Sequence, residues 1–191
     1  MSTFYAFISR MRDIRRWGLM RNTFEENIQG HSHMAAVLAH ALALIGNTYF
    51  GRAYDPDKVA AAALFHDAPE ILTGDLPTPV KYHNPAIREA YRGVESVAQE
   101  KLLATLPDGL REAYRPLLFQ EELPGEVQAL VRAADKLAAL IKCVEEGRGG
   151  NSEFHSAAKQ IHQALEASPL PEVGWFLEYC LPAFERTLDE L

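Results

Sequence analysis

Residues 59–70 read Val-Ala-Ala-Ala-Ala-Leu-Phe-His-Asp-Ala-Pro-Glu, and this stretch decides the predicted fold. An apolar helical run leads directly into His66 and Asp67. Pro69 has no backbone N–H to donate to the carbonyl of Phe65, so the helix is expected to kink or end at the His-Asp pair. A histidine and a carboxylate are costly to bury among apolar side chains unless a cation takes up the charge. Because divalent transition metals accept imidazole and carboxylate ligands together, the stretch predicts a metal site in a helical protein.

The composition narrows the classes of function. The 191 residues carry a formal net charge of −7, which argues against binding to the phosphate backbone of nucleic acids. The two cysteines, Cys143 and Cys180, cannot form a disulfide framework and fit a reducing compartment. No apolar run approaches the roughly 20 residues that cross a bilayer, and the N-terminal residues lack the pattern of a secretory signal. We therefore expect a cytoplasmic protein that binds neither nucleic acid nor a membrane.

Turn residues separate long helical patterns, and the sequence lacks strand patterns. Asp55-Pro56 and Asn84-Pro85 each place a capping side chain before a proline at the first helical position. Helices are predicted over residues 3–11, 30–47, 56–66 and onward, 85–106, 110–119, 125–146, 152–167 and 171–188. Pro182 is expected to kink or divide the last of these. Since there is no repeat or long linker, residues 1–191 are predicted to form one compact all-α domain.

Further ligands for the predicted metal must come from other helices. The helix that begins near Gly30 offers His31, His33 and His40, with His31 on one apolar stripe and His33 and His40 on the next. Spacing alone leaves this choice open. His31 and His33 point about 200° apart on a helix, so we do not expect them to bind one ion together.

Asp135 is the candidate for a second carboxylate ligand. It lies within an apolar helical stripe formed by Val127, Leu130, Val131, Ala134, Ala138 and Ile141. An aspartate on a buried stripe needs a partner. Arg132, one turn earlier, offers an ordinary ion pair, whereas a metal shared with His66 and Asp67 accounts for the residue better.

These residues, taken in order, resemble a known family. His31-Ser32, His66-Asp67 and the distant Asp135 are similar to the H…HD…D set of the HD-domain metal-dependent phosphohydrolases. The resemblance is closer still to the bacterial YfbR-like 5′-deoxynucleotidases, and it selects His31 over His33. The similar segments are Arg16-Trp17-Gly18-Leu19-Met20-Arg21-Asn22, Glu26-Asn27, His66-Asp67-Ala68-Pro69-Glu70, Leu72-Thr73-Gly74-Asp75-Leu76-Pro77-Thr78-Pro79-Val80-Lys81, Ala134-Asp135 and Asn151-Ser152-Glu153-Phe154. One departure is Gly30, where an acidic residue is expected before the histidine.

The resemblance implies an HD-domain helical bundle that hydrolyses deoxyribonucleoside 5′-monophosphates to a deoxyribonucleoside and phosphate. It implies one divalent metal ion, held by His31, His66, Asp67 and Asp135. This mixed nitrogen and oxygen donor set, without cysteine, suits Co²⁺ or Mn²⁺ better than a closed structural Zn²⁺ site. The family also implies a homodimer.

The resemblance assigns further roles by position. Glu70 is the catalytic carboxylate that handles the proton of the attacking water, and Arg16 acts on the substrate phosphate. The substrate-binding residues are Arg16, Trp17, His31, Asp67, Asp75, Leu76, Pro77, Thr78 and Asp135. By chemistry, Arg16 is a bidentate phosphate donor. The resemblance implies that the proline-stiffened loop at residues 75–78 contacts the sugar, where a rigid backbone would leave no room for a ribose 2′-hydroxyl.

Several alternatives stay open at the level of the sequence. The metal site could act on another phosphoester, such as a nucleoside triphosphate or a cyclic nucleotide, or the chain could be a non-catalytic helical binding protein. Trp17 could be core packing, and Glu70 a solvated acid beside a kink. The arginines between residues 10 and 21 could form a solvated basic face or a nucleic-acid patch, although the acidic net charge argues against the latter. The aromatic C-terminal segment could be core or a subunit interface.

Overall fold

The structure, a computed structural model, describes residues 1–81 and 83–191. Within these residues the regular structure is helical, apart from one isolated antiparallel bridge between Arg15 and Asn27. The helices are α1 Phe4–Ile8, α2 Ile28–Tyr49, α3 Pro56–Phe65, α4 Glu70–Thr73, α5 Thr78–Lys81, α6 Pro85–Ala104, α7 Asp108–Leu118, α8 Gly125–Arg148, α9 His155–Glu166 and α10 Pro171–Tyr179. Short 3-10 segments lie at Ser9–Asp13, Gln120–Glu122, Ser152–Phe154, Leu181–Glu185 and Leu188–Glu190. The predicted all-α class is confirmed.

Capping side chains start the three helices that surround the site and its loop. Asn27 accepts a hydrogen bond from the amide of Gly30 at the start of α2. Asp55 and Asn84 cap α3 and α6 in the same way, and a proline follows each of them. These caps satisfy backbone donors that a helix otherwise leaves free, so local sequence suffices to predict the starts of α3 and α6, whereas α2 begins at Ile28, two residues before the predicted start. The missing acidic residue at position 30 leaves the start of α2 intact.

The chain changes direction at the His-Asp pair, as predicted. Helix α3 ends at Phe65, and α4 begins only at Glu70. The amide of Ala68 bonds to the carbonyl of Phe65 at 3.0 Å, which is a turn and not a continued helix. The helix therefore does not continue through Glu70, because Pro69 cannot supply the next helical hydrogen bond.

Other predicted helices differ from the structure because part of each is a short 3-10 segment. The helix predicted for residues 3–11 is α1 followed by a 3-10 segment, and residues 152–154 form a 3-10 turn ahead of α9. The helix predicted for residues 171–188 stops at Tyr179. Pro182 lies in the next 3-10 segment and divides this region as predicted, because proline disfavours helical geometry at the preceding residue. Helix α5 was not predicted.

Small side chains let three helices pack closely around the core. Helices α2, α3 and α8 meet through buried residues that are mainly alanine and leucine: Ala35, Leu38, Ala39, Leu42, Ala43, Ala62, Ala63, Leu130, Ala134, Leu137 and Ala138. Because alanine permits a short distance between helix axes, polar side chains at the ends of this interface are brought within reach of one another. A second cluster, around Phe4, Leu102 and Phe119, packs α1, α6 and α7 beneath Ala68.

Among the described residues, no helix combines the length and the apolar character needed to cross a membrane.

Candidate metal centre and substrate cleft

Side chains from α2, from the turn after α3 and from α8 converge at one point. The Nε2 atom of His31 lies 3.0 Å from Oδ1 of Asp135 and 3.6 Å from Oδ2 of Asp67. The Nε2 atom of His66 lies 3.2 Å from Oδ1 of Asp67 and 3.8 Å from Oδ1 of Asp135. Donor atoms of His31, His66 and Asp67 all lie within 4.8 Å of one another. The four side chains predicted as ligands are therefore neighbours.

The orientation of His66 fits a ligand. Its Nδ1 lies 2.6 Å from the carbonyl oxygen of Ala63, so a proton on Nδ1 is donated there and Nε2 is left with its lone pair. That Nε2 atom is buried and has no hydrogen-bond partner. A buried polar atom without a partner is costly, and a cation among the adjacent carboxylates would satisfy it. The donor set thus fits a divalent metal ion.

The electrostatics of the cluster point the same way. Burial lowers the pKa of His66, but the carboxylates of Asp67 and Asp135 outweigh it and raise the pKa to about 9. Burial would raise the pKa of Asp135, yet its hydrogen bond with His31 and the adjacent imidazole of His66 hold that pKa well below the usual range. The negative potential that retains a proton on the imidazole also attracts a cation, so metal binding must release that proton.

Packing decides between His31 and His33, and it also decides which residues contact Asp135. His31 is fully buried, whereas His33 is exposed on the other side of α2. Asp135 contacts His31, and Arg132 turns away to donate to the side chain of Gln128 at 3.1 Å. The ordinary ion pair between Arg132 and Asp135 is therefore not formed.

Glu70 is a buried carboxyl group beside the cluster. It is the first residue of α4 and is only 9 % exposed, and its Oε2 atom has no hydrogen-bond partner. Burial raises the pKa of Glu70 most strongly, and the carboxylates of Asp67 and Asp75 raise it further, to about 9. The alternative of a solvated acid is wrong, because the side chain is enclosed.

Arg16 connects the cluster to the surface. Its Nε donates to Glu26 at 3.0 Å, and its Nη1 donates to Asp67 at 3.2 Å. The neighbouring carboxylates overcome the effect of burial and raise the pKa of the guanidinium of Arg16. The indole of Trp17 also donates to Glu26, at 2.9 Å, while its ring packs against Phe154. Arg16 is thus fixed in place and is not part of a solvated basic face.

A cleft of about 560 Å³ opens next to Arg16. Arg16 and Trp17 form one wall, and Asp75, Pro77 and Thr78 form a second. Leu76, the remaining residue predicted in that loop, is half-buried. Gly74, with a φ of 73°, lets the chain leave α4 and enter this loop. A volume of this size accommodates a small ligand.

Two features of the site were not predicted from the sequence: the third wall of the cleft, and the contact of Glu26 with Arg16. Ala157, Gln160 and Ile161 on one face of α9 close the cleft, and no pattern in the sequence links that helix to Arg16. Glu26 belongs to a segment used for the family resemblance, but it received no role. Glu26 lies ten residues after Arg16 in the sequence. The two residues close a loop only in the folded chain, where the amide of Arg16 bonds to the carbonyl of Glu26 at 2.9 Å.

Proteins named 5′-deoxynucleotidase are similar to this chain along its whole length. The family model for 5′-deoxynucleotidase YfbR-like proteins matches residues 3–184. A protein named 5′-deoxynucleotidase from Shewanella oneidensis is 44% identical over 191 residues, covering 100% of this chain and 98% of the relative. The 5′-deoxynucleotidase YfbR of Shigella boydii is 44% identical over 190 residues, covering 100% and 96%.

Solved structures share the fold. An HD-domain phosphohydrolase from Listeria innocua superposes with a TM-score of 0.83 at 23% identity, covering 95% of this chain and 88% of its own. The cyanophage S-2L HD phosphohydrolase DatZ, solved with dA and one catalytic Zn²⁺ ion, has a TM-score of 0.63 at 23% identity, covering 97% and 96%. The HD-type helical bundle predicted from the sequence is confirmed. On these findings, the chain belongs to the 5′-deoxynucleotidase YfbR-like family.

Proposed function

We propose that this protein is a metal-dependent 5′-deoxyribonucleotidase that converts deoxyribonucleoside 5′-monophosphates to a deoxyribonucleoside and phosphate. The observation that carries the proposal is the convergence of His31, His66, Asp67 and Asp135 beside a cleft that begins at Arg16. Its relatives bear the name 5′-deoxynucleotidase, and the related fold of DatZ was solved with a deoxynucleoside. Both support a deoxynucleotide as the substrate.

The four converging side chains are the proposed metal ligands. Two imidazoles and two carboxylates, without a thiolate, suit Co²⁺ or Mn²⁺, and the half-exposed side chain of Asp135 leaves access from solvent. When bound, such an ion would act as a Lewis acid on the phosphate and lower the pKa of a water molecule. His66 is oriented for this role by the carbonyl of Ala63, which supports its assignment as a ligand.

Arg16 and Glu70 are the proposed catalytic residues. Arg16 points between Asp67 and the cleft, where its guanidinium can donate to phosphate oxygens. Hydrolysis forms a bond from the water oxygen to phosphorus and breaks the bond from phosphorus to the 5′ oxygen, which leaves with a proton. Glu70 would take a proton from the attacking water, as a carboxylate beside the proposed metal ligands can.

The loop after α4 is the proposed site for the sugar. Asp75, Leu76, Pro77 and Thr78 belong to it, and Asp75 can accept a hydrogen bond from a sugar hydroxyl. An apolar pocket rejects an added hydroxyl only weakly, so discrimination against a 2′-hydroxyl requires a rigid wall. Pro77 and Pro79, one on each side of Thr78, stiffen this wall.

A matched panel of nucleotides tests the function. With added Co²⁺ or Mn²⁺, we expect phosphate release from deoxyribonucleoside 5′-monophosphates and much slower release from the matched ribonucleotides, as measured by a phosphate assay. Nucleoside triphosphates and cyclic nucleotides in the same panel test the alternative phosphoester. Equal rates on ribonucleotides would remove the sugar preference, and inactivity on every monophosphate would overturn the proposal.

Replacing Arg16 with alanine tests its contact with the phosphate. We expect kcat/KM to fall about 10²-fold, since a preorganised donor to the reacting group is lost. Arg15→Ala is the matched control, because Arg15 is an exposed neighbour that pairs only with the surface residue Glu25 in the described structure. Steady-state kinetics on a deoxyribonucleoside 5′-monophosphate measures both variants. If Arg16→Ala retained the kcat/KM of Arg15→Ala, Arg16 would have no role in substrate binding.

We also propose that residues 1–191 form one phosphohydrolase domain that acts as a homodimer in the cytoplasm. The match of the family model to residues 3–184 supports a single domain. Tyr49 and Tyr179 are exposed, and the rings of both pack against Trp175. Exposed aromatic clusters are enriched at subunit interfaces, which favours this surface as the contact between two copies.

A further inference from the structure

A buried ion pair lies behind the loop that carries Arg16 and Trp17. Lys142 and Glu146 are one turn apart on α8, with exposed fractions of 2 % and 0 %. Among the described residues, no hydrogen bond joins Lys142 or Glu146 to a predicted metal ligand. An ion pair buried this deeply is costly to desolvate and is retained only where its hydrogen bonds are complete. Its partners therefore indicate what the pair is for.

Both side chains are satisfied by one distant segment, residues 14–27, which we call the N-terminal loop. Glu146 accepts from the backbone amide of Thr23 at 2.9 Å and from that of Phe24 at 3.4 Å. Lys142 donates to the backbone carbonyl of Phe24 at 2.6 Å, and its ammonium lies 3.3 Å from the centre of the Phe24 ring. The pair thus binds the main chain of the loop, which lies more than a hundred residues away in sequence.

The turn that follows α8 extends the same attachment. Asn151 donates to Glu146 at 2.7 Å and to the backbone carbonyl of Arg21 at 2.7 Å. Glu153 accepts from the amide of Arg21 at 2.8 Å, and Phe154 packs on the ring of Trp17. Each contact attaches the N-terminal loop to the C-terminal end of α8.

The attached tip of the loop is linked to Arg16 within the loop itself. Asn22 donates to the carbonyls of Met20 and Trp17 at 2.9 Å and 3.4 Å. At the base of the loop, the amide of Arg16 bonds to the carbonyl of Glu26. Trp17 has a positive φ of 58°, which is unfavourable for a bulky residue and persists only where surrounding contacts impose it.

We propose that the buried pair of Lys142 and Glu146 is a positioning device that holds the N-terminal loop, and with it Arg16 and Trp17, against the substrate cleft. For the identity of the ligand, this inference rests on the proposed function. Glu146 is suited to the role because hydrogen bonds from Lys142, Thr23 and Asn151 outweigh burial and lower its pKa to about 2. The carboxylate is therefore charged throughout the neutral range and can accept these hydrogen bonds there.

Glu146→Gln tests the inference, in a Trp175→Phe background that leaves Trp17 as the only tryptophan. Because the loop loses its anionic acceptor and carries both Arg16 and Trp17, we expect kcat/KM for a deoxyribonucleoside 5′-monophosphate to fall about tenfold. Acrylamide quenching of Trp17 fluorescence should increase. Calorimetric affinity for Co²⁺ should match the parent, because the four ligands are untouched.

The double variant Lys142→Met/Glu146→Leu separates positioning from folding. It removes both buried charges at once, which leaves no unpaired ion and is often neutral for stability, yet the amides of Thr23 and Phe24 lose their acceptor. If Glu146→Gln does not fold, the kinetics and the Trp17 quenching of this double variant decide whether the pair positions the loop. Glu122→Gln, which breaks only the exposed ion pair with Arg115, is the control and should match the parent in every measurement.

A folded variant that keeps the kcat/KM and the Trp17 quenching of its parent would overturn the inference, because a merely structural pair changes only the melting temperature. Inactivity of the parent itself would overturn the proposed function instead. The quenching comparison would still decide the positioning role in that case, since it requires no substrate.

Discussion

Asp67→Ala is expected to lose metal binding and turnover while its helical content survives. Asp67 places one oxygen 3.2 Å from Nε2 of His66 and the other 3.6 Å from Nε2 of His31, and it also accepts from Arg16. Removing it deletes a ligand and the anchor of the proposed phosphate donor together. A loss of about 4 kcal/mol of transition-state stabilisation, or roughly 10³-fold in kcat/KM, follows if the metal acts as a Lewis acid.

Metal content after dialysis, circular dichroism and steady-state kinetics measure this prediction. Asp57→Ala is the matched control, because Asp57 is an aspartate on α3 whose side chain is 97% exposed. The control should bind Co²⁺ or Mn²⁺ as the parent does and turn over at the parental rate. Normal metal retention in folded Asp67→Ala would eliminate the proposed ion site, whatever its activity.

Glu70→Gln is expected to retain metal and substrate but lose about 10²–10⁴-fold in kcat, the usual contribution of a positioned acid or base. Glutamine has nearly the shape of glutamate and cannot take a proton from water. Because Glu70 is buried with an unpartnered Oε2 atom, the neutral side chain should not lower the melting temperature. A drop in kcat without a drop in stability would identify a chemical role.

Calorimetric Co²⁺ binding and substrate KM accompany the measurement of kcat for Glu70→Gln. Glu89→Gln serves as the control, since Glu89 lies on the surface of α6 and pairs only with Arg92 in the described structure. If Glu70→Gln turned over at the rate of this control, another group would have to handle the proton. If it lost Co²⁺ as well, Glu70 would belong to the metal site rather than to proton transfer.

Much of the fold could be predicted because its signals are local. The capping residues Asp55 and Asn84 could be recognised from the sequence, since each satisfies an amide only three residues away and a proline follows it. Pro69 ends α3 for an equally local reason. The 3-10 segments and α5 were missed because one or two hydrogen bonds separate them from a turn.

The candidate site was predictable in its residues but not in its geometry. Ordered motifs indicated His31, His66, Asp67 and Asp135 through resemblance to a family, whereas helical periodicity could not choose between His31 and His33. That choice depends on which side of α2 packs on α3 and α8. It is made by buried alanines on all three helices, and no spacing within one helix specifies how it meets another.

By itself, therefore, the sequence determined an all-α chain, the starts of its main helices and the family of its motifs. Tertiary structure alone decided that His31 faces inward, that Arg16 is held between Glu26 and Asp67, and that α9 closes the cleft. It also decided that Lys142 and Glu146 bind the N-terminal loop. Helix caps act over a few residues, but these contacts join side chains far apart in sequence, and they exist only once the packing of the core sets the distances between helices.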